Sequence, residues 1–259
     1  MGELVVTARG AVATLVLNRP AKRNAITLEM WKALPDVLHD LASDPDLRVL
    51  VVRGAGEDAF ASGADISEFE QVRSGIAAAQ QYSRTADAAD RALAAFPRPT
   101  IAMIHGFCVG GGLELALACD LRFASRTARF GITAARLGII YGFTSTRRLA
   151  GIVGPSHARD ILFSGRLVGI DEARTMGLVN KVCEPDTLET QTFEYADRLA
   201  LQAPLSQRGA KLMLQHLQGE GEMIDTDLAA FVERAYESED YREGVRAFLE
   251  KRRPRFLGR

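Results

Sequence analysis

Leu4 to Ala8 and Val12 to Leu17 are short β-branched runs parted by Arg9-Gly10, which predicts an opening hairpin. From Thr27 to Leu41 the apolar residues Leu28, Trp31, Leu34, Leu38 and Leu41 recur at helical spacing, and Pro35 inside the run predicts a kink or a late start. Leu47 to Val52 is apolar apart from Arg48, the mark of a buried strand with parallel neighbours. Ser67 to Ala95 is Ala-rich and polar-faced. It predicts a long helix opened by a capping box of Ser67 and Glu70 and loosely held around Ser74-Gly75. Pro97 and Pro99 stop it before another strand, Thr100 to Ile104. Gly110 to Gly112 then lead into a short apolar helix and a strand at Leu121 to Ala124.

From Asp186 onward the pattern is almost wholly helical, interrupted at Pro204 and at Gly219 to Gly221. Alternating strands and helices followed by helices alone predict an α/β core over 1–195 and a helical region over 196–259. Leu212, Leu228, Phe231, Phe248 and Leu249 in that tail predict apolar surface that needs a partner, and so an oligomer.

Charge narrows the class of ligand. With 32 Lys+Arg against 33 Asp+Glu among 259 residues, the net charge of -1 gives no global reason to bind nucleic acid or an anionic membrane, so a small molecule is expected. Cys108, Cys119 and Cys183 form neither a C-x-x-C pair nor an even disulfide set, and no charged-then-apolar signal segment opens the chain. A soluble protein of the reducing cytoplasm is expected. His39, His105, His157 and His216 are scattered without ligand spacing, so no metal site is expected.

The stretch His105-Gly106-Phe107-Cys108-Val109-Gly110-Gly111-Gly112-Leu113-Glu114 reads as a strand end feeding glycines into a helix. Glycines let a ligand approach the backbone, and a helix start points free N–H groups at negative charge. Glu114 is the only charge in a turn otherwise made of Leu113, Leu115, Ala116, Leu117, Ala118 and Cys119, and it is the one buried carboxylate that the pattern offers. Burial raises a carboxyl's pKa, which suits acid/base work; the plain alternative is an ion pair with Arg122. Phe60-Ala61-Ser62-Gly63-Ala64-Asp65 is a second glycine turn before a capped helix. Together the two turns offer N–H donors at Ala64 and Gly111 for a single carbonyl oxygen. Gly54-Ala55-Gly56-Glu57-Asp58-Ala59 superficially fits a dinucleotide fingerprint, but the chain turns again where the helix should start.

The ordered motifs Asn18-Arg19-Pro20-Ala21-Lys22-Arg23-Asn24-Ala25, Phe60 to Asp65, Gly106 to Asp120, Phe130-Gly131, Leu137-Gly138-Ile139, Gly177-Leu178-Val179-Asn180 and Phe248-Leu249-Glu250-Lys251-Arg252 resemble the enoyl-CoA hydratase/isomerase (crotonase) family over nearly the full length. The resemblance implies a spiral of ββα units whose C-terminal helices build homotrimers or homohexamers. It makes the N–H groups of Ala64 and Gly111 an oxyanion hole, with Glu114 catalytic. It gives Arg19, Lys22, Arg23 and Ala25 the CoA cradle, joined by Ala61, Ala64, Asp65, Ile66 and Gly110. Phe248 and Lys251 match positions that pack the adenine end of CoA, often from a neighbouring subunit. Coenzyme A enters as part of the substrate, and no separate cofactor is implied.

Two departures bear on the reaction. Hydratases of this family carry a second glutamate four residues after the Phe-Gly pair, where this chain has Ala134, and the loop Ile140-Tyr141-Gly142-Phe143-Thr144-Ser145-Thr146 departs from the glycine-rich pattern. Tyr141 matches a loop tyrosine of the methylmalonyl-CoA decarboxylase branch, and Tyr236 to Tyr241 also resembles that branch, although the branch has a histidine where this chain has Ala64. The leading expectation is an enoyl-CoA hydratase-like lyase with Glu114 as its single acid/base. The alternatives are a malonyl-type CoA decarboxylase using Tyr141 and a non-catalytic acyl-CoA-binding protein.

Overall fold

A computed structural model describes residues 2–220 and 225–259. The chain opens with β1 (Leu4–Arg9) and β2 (Val12–Leu17), paired antiparallel about Gly10 at φ 58°. Helix α1 (Leu28–Ser43) follows, and the Thr27 hydroxyl accepts the Met30 N–H at 3.1 Å at its start. Pro35 neither kinks nor delays it. Burial of Met30, Trp31, Leu34 and Leu38 along one face outweighs the ~3 kcal/mol that an interior proline costs.

The next strands alternate between two sheets. β3 (Val49–Gly54), β5 (Thr100–Ile104) and β7 (Leu121–Ser125) extend the first sheet, which β10 (Lys181–Cys183) completes in the order β1-β2-β3-β5-β7-β10. All its pairings after the hairpin are parallel. β4 (Ala59–Ala61), β6 (Phe107–Val109), β8 (Arg129–Gly131) and β9 (Val168–Gly169) form the second sheet in that order. β3, β5 and β7 are therefore each followed by a short strand in the other sheet. Helices then return the chain: α2 (Phe69–Val72) and α3 (Gly75–Ala94) after β4, α4 (Gly111–Ala118) after β6, and α5 (Phe143–Ser164) after β8. This is the expected spiral of ββα units.

The main core lies between the sheets and α1, α3, α4 and α5, with Trp31, Phe60, Leu93, Leu113 and Phe130 fully enclosed. α6 (Ile170–Thr175) leads to β10, and α7 (Leu188–Ala200) covers the outer face of the first sheet, packing Leu188 and Ala196 on Val49, Val51 and Ile101. The remaining helices are α8 (Pro204–Leu217), α9 (Asp225–Glu237) and α10 (Glu239–Leu249). Gly221, within the expected break at Gly219 to Gly221, lies outside the described residues. No helix of the described residues is long and apolar enough to cross a membrane.

Three further expectations change. The helix expected over Ser67 to Ala95 is broken between α2 and α3, where Gly75 takes φ 83°. The Ser67–Glu70 capping box does not form, because the Asp65 carboxylate caps this turn instead, accepting the Ser67 N–H at 3.1 Å and its hydroxyl at 2.6 Å. Phe231 is not open tail surface: it is buried against the backbone of Gly209, whereas Phe248 and Leu249 are exposed.

Candidate active site

The parallel pairing of β4 with β6 sets the glycine turn that follows each strand beside the other. Gly63 takes φ 106° and Gly110 φ 53°, conformations open to glycine and strained for other residues. A β-carbon on Gly111 would lie 3.6 Å from the Ala64 nitrogen, and one on Gly63 would lie 3.8 Å from the Gly111 nitrogen. Gly112 permits this closeness, since a β-carbon there would stand 2.4 Å from the Ala61 carbonyl oxygen. The flanking backbone is pinned by Ile26 N–H to Gly63 O at 2.8 Å, Asp65 N–H to Ile26 O at 2.9 Å and Gly110 N–H to Gly131 O at 2.8 Å. The N–H groups of Ala64 and Gly111 have no backbone acceptor among the described residues. Gly111 is the first residue of α4, where the helix leaves its N–H groups free.

Both turns border a cleft of about 160 Å³, whose walls include Trp31, Ala64, Gly111, Glu114, Ala134 and Tyr141. Glu114 leaves α4 into this cleft, and its Oε1 accepts the Ser145 hydroxyl at 2.6 Å. Burial raises its pKa, while the Ser145 bond and the charge of Arg148 oppose the rise. The alternative ion pair with Arg122 does not form. Arg122 instead donates to the carbonyls of Leu178 and Cys119 at 2.8 and 2.9 Å.

Tyr141 turns its hydroxyl to the Gly110 carbonyl at 3.5 Å. Burial, reinforced by the negative charges of Glu114 and Asp90, raises the phenol well above its ordinary range. Ala134 supplies only a methyl group, and the acidic side chains lining the cleft are Glu114 and Asp87.

Glu114 is not the one buried carboxylate. Asp65, Asp90 and Asp240 are buried, whereas Glu114, facing the cleft, is half-buried. Asp90 pairs with Arg148 at 2.5 Å, and Arg148 also reaches Glu220 at 2.7 Å, forming a charged layer behind Glu114. Burial pushes Asp90 up to about 7 against the pull of Arg148. On α3 the buried positions Tyr82, Ala86, Ala89 and Leu93 mark one face, and Asp90 falls on it one turn after Ala86. That spacing is the signal by which it was legible.

The residues expected to cradle CoA divide into two groups. Arg19 is engaged within the fold, donating to Asp65 at 2.9 Å and to the Ala25 carbonyl at 2.7 Å, and pairing with Glu3 at 2.9 Å. The Ser67 hydroxyl, helped by Arg19, holds the Asp65 carboxyl below its usual range. Lys22, Arg23 and Ile66 are exposed, while Ala25 and Ala61 are buried. Ile66 and Gly110 line the cleft beside Ala64. Phe248 lines a separate groove among α8, α9 and α10, and exposed Lys251 follows α10 at φ 54°.

The fingerprint-like Gly54 to Ala59 ends β3 and enters β4 with no helix between, and a β-carbon on Gly54 would meet the Ala59 and Phe60 carbonyls at 2.3 and 2.4 Å. Among the described residues no three His, Cys, Asp or Glu side chains gather as a metal site. Sequence reasoning missed Arg73, Tyr82 and Asp87, which line the cleft through the packing of α2 and α3, and Ser145, which α5 brings to Glu114.

The chain is similar to known proteins over nearly all of its residues. The chain is 34% identical over 257 residues to the short-chain-enoyl-CoA hydratase of Clostridium acetobutylicum, covering 98% of this chain and 97% of the relative. It is 34% identical over 253 residues to the crotonyl-CoA hydratase of Syntrophomonas wolfei, covering 96% and 95%. A crystal structure of an enoyl-CoA hydratase/carnithine racemase from Magnetospirillum magneticum superposes with a TM-score of 0.94 at 36% identity, covering 100% of this chain and 97% of that one. Residues 7–259 match the enoyl-CoA hydratase/isomerase family, and the chain belongs to that crotonase family as an enzyme of the lyase kind.

Proposed function

We propose that this enzyme hydrates a 2-enoyl-CoA, with Glu114 as its single acid/base and the N–H groups of Ala64 and Gly111 as its oxyanion hole. The observation that carries the reading is the pair of adjacent, unengaged N–H groups in the cleft that also holds the half-buried carboxylate of Glu114. In the forward step the Glu114 carboxylate takes a proton from water, the hydroxide oxygen bonds to C3, and the C2–C3 π electrons move onto the thioester oxygen. The two N–H groups stabilise that enolate, each by ~3–4 kcal/mol. Glu114 then returns the proton to C2 as the enolate collapses, so one water is consumed and the carboxylate is regenerated. The raised pKa of Glu114 makes it a better base when ionised and keeps its proton available for the second step.

The CoA moiety would run along Lys22, Arg23, Ala25, Ala61, Asp65, Ile66 and Gly110, with Arg19 bracing the turn that carries Asp65. Phe248 and Lys251 would meet the adenine end from a neighbouring subunit of a trimer or hexamer, and the exposure of Phe248 and Leu249 supports such a contact.

The Tyr141 hydroxyl favours a second reading, decarboxylation of a malonyl-type CoA. A phenol kept neutral by burial would orient the leaving carboxylate, the C–C bond electrons would enter the same enolate, carbon dioxide would depart, and C2 would then be protonated. Two variants separate the readings. Under hydration, Glu114→Gln abolishes loss of enoyl absorbance, and Ala134→Glu raises the rate by restoring a second acid/base. Under decarboxylation, Tyr141→Phe costs more than Glu114→Gln in carbon dioxide release. Wild-type protein that binds short, branched and aromatic acyl-CoAs yet gives neither signal would overturn both and leave a binding protein.

A further inference from the structure

Arg73 stands at the break between α2 and α3 and lines the same cleft as Glu114, whose carboxyl feels its charge. Its guanidinium carbon lies 4.0 Å from the Phe69 ring centroid and 3.8 Å from that of Tyr82. Tyr82 is itself fixed, since its hydroxyl accepts the Trp31 indole N–H at 3.0 Å. The aromatic rings thus hold the guanidinium over their faces, and no carboxylate of a described residue hydrogen-bonds it. Arg73 Nε is buried with no hydrogen-bond partner.

The neighbouring acids are committed elsewhere. Asp87, on the same wall, pairs with Arg91 at 2.6 Å. Glu68 accepts the Leu28 N–H at 3.0 Å, and Glu114 holds Ser145 at 2.6 Å. No carboxylate of a described residue forms an ion pair with Arg73. A guanidinium held in a cleft with no carboxylate in direct contact is costly to desolvate, and an acyl chain ending in a methyl group would cover it with nothing that accepts its hydrogen bonds. An acyl chain ending in a carboxylate would supply both charge and acceptors, in the forked geometry that suits arginine.

We propose that Arg73 is the receptor for a carboxylate at the far end of the acyl chain, so that the enzyme prefers dicarboxylic acyl-CoA substrates over simple fatty ones. This rests on the reading of the cleft as an acyl-CoA site and names the class of acyl group it takes. Arg73 acts in binding and takes no part in moving protons.

The test is calorimetric titration of the 259-residue chain with saturated acyl-CoAs, which cannot be hydrated. Succinyl-, glutaryl- and adipoyl-CoA are each compared with the chain-matched butyryl-, pentanoyl- and hexanoyl-CoA. At least one diacid should bind roughly tenfold or more tighter than its match, as expected for hydrogen bonds to a charged group. Arg73→Met, which removes the charge and keeps much of the bulk, should erase the preference, and Arg73→Lys should keep part of it. The monomethyl ester of the preferred diacyl-CoA should lose the preference on the wild-type protein, which gives a readout that no variant's folding can spoil.

Equal affinity within every wild-type pair, or a preference that survives Arg73→Met or esterification, would overturn the assignment. Hydration of crotonyl-CoA without any diacid preference faults the receptor alone. A diacid preference without hydration faults the proposed reaction and leaves the receptor standing.

Discussion

The Ser145 hydroxyl donates to Glu114 Oε1 at 2.6 Å, and this bond opposes the burial that raises the carboxyl. Hydration needs Glu114 ionised at the start, so activity falls as pH drops through its pKa. Ser145→Ala removes a stabiliser of the ionised form and should move the acidic limb of the kcat/KM profile to higher pH. A pH–rate profile of the two proteins checks this, and coincident limbs would separate Ser145 from the base.

Glu114→Gln should lower hydration by ~10²–10⁴-fold while making the fold more resistant to heat at neutral pH. The folded carboxyl has a raised pKa, so its favourable contribution is present below the unfolded value and is lost as pH rises through the folded one. At neutral pH the charge therefore works against the native state, and an amide removes it. Thermal melts at pH 5 and pH 8 should show a larger gain at the higher pH.

Gly112→Ala places a methyl group 2.4 Å from the Ala61 carbonyl oxygen and forces the two turns apart. We expect a loss of ~1–3 kcal/mol in stability and a larger fall in kcat than in acyl-CoA affinity. Denaturant melts and steady-state kinetics measure the two effects.

Lys22 is exposed next to the turn that bears Asp65, and Lys251 is exposed after α10. Changing both to Ala should weaken acyl-CoA binding by ~2–10-fold, because surface charges each contribute little. The loss should shrink at high salt, where screening already suppresses such contacts. Affinity unchanged at low salt would remove both residues from the phosphate end of the site.

The site was legible where its signal is local. Gly63, Gly110 and Gly111 announce close backbone approach within a few residues, and Glu114 stands alone among apolar neighbours, so both turns and the carboxylate could be read from the chain. Ser145 and Arg73 could not. Ser145 acquires its role from Glu114, distant in sequence, and Arg73 from the cleft that the break between α2 and α3 faces, and nothing in the neighbouring sequence sets either apart. The cap at residue 67 misled for a related reason: Ser67 and Glu70 have capping-box spacing, yet Asp65, two residues earlier, reaches the same N–H group first. Periodicity recovered the strands and most of the helices, and it found α1 even though Pro35 argued for a kink. The weak point was the tail, where an apolar residue such as Phe231 can serve the protein's own packing as readily as a partner.

The pairing of β4 with β6 also bears on the order of events during folding. The donors at Ala64 and Gly111 belong to different ββα units, and each unit can form its own strand and helix without bringing them together. They meet only when a parallel, non-local pairing closes, a contact whose loop-closure entropy makes it slow to form. Refolding chains should thus regain helical ellipticity before they regain the ability to hold a thioester, and ligand capture becomes a reporter of that final closure.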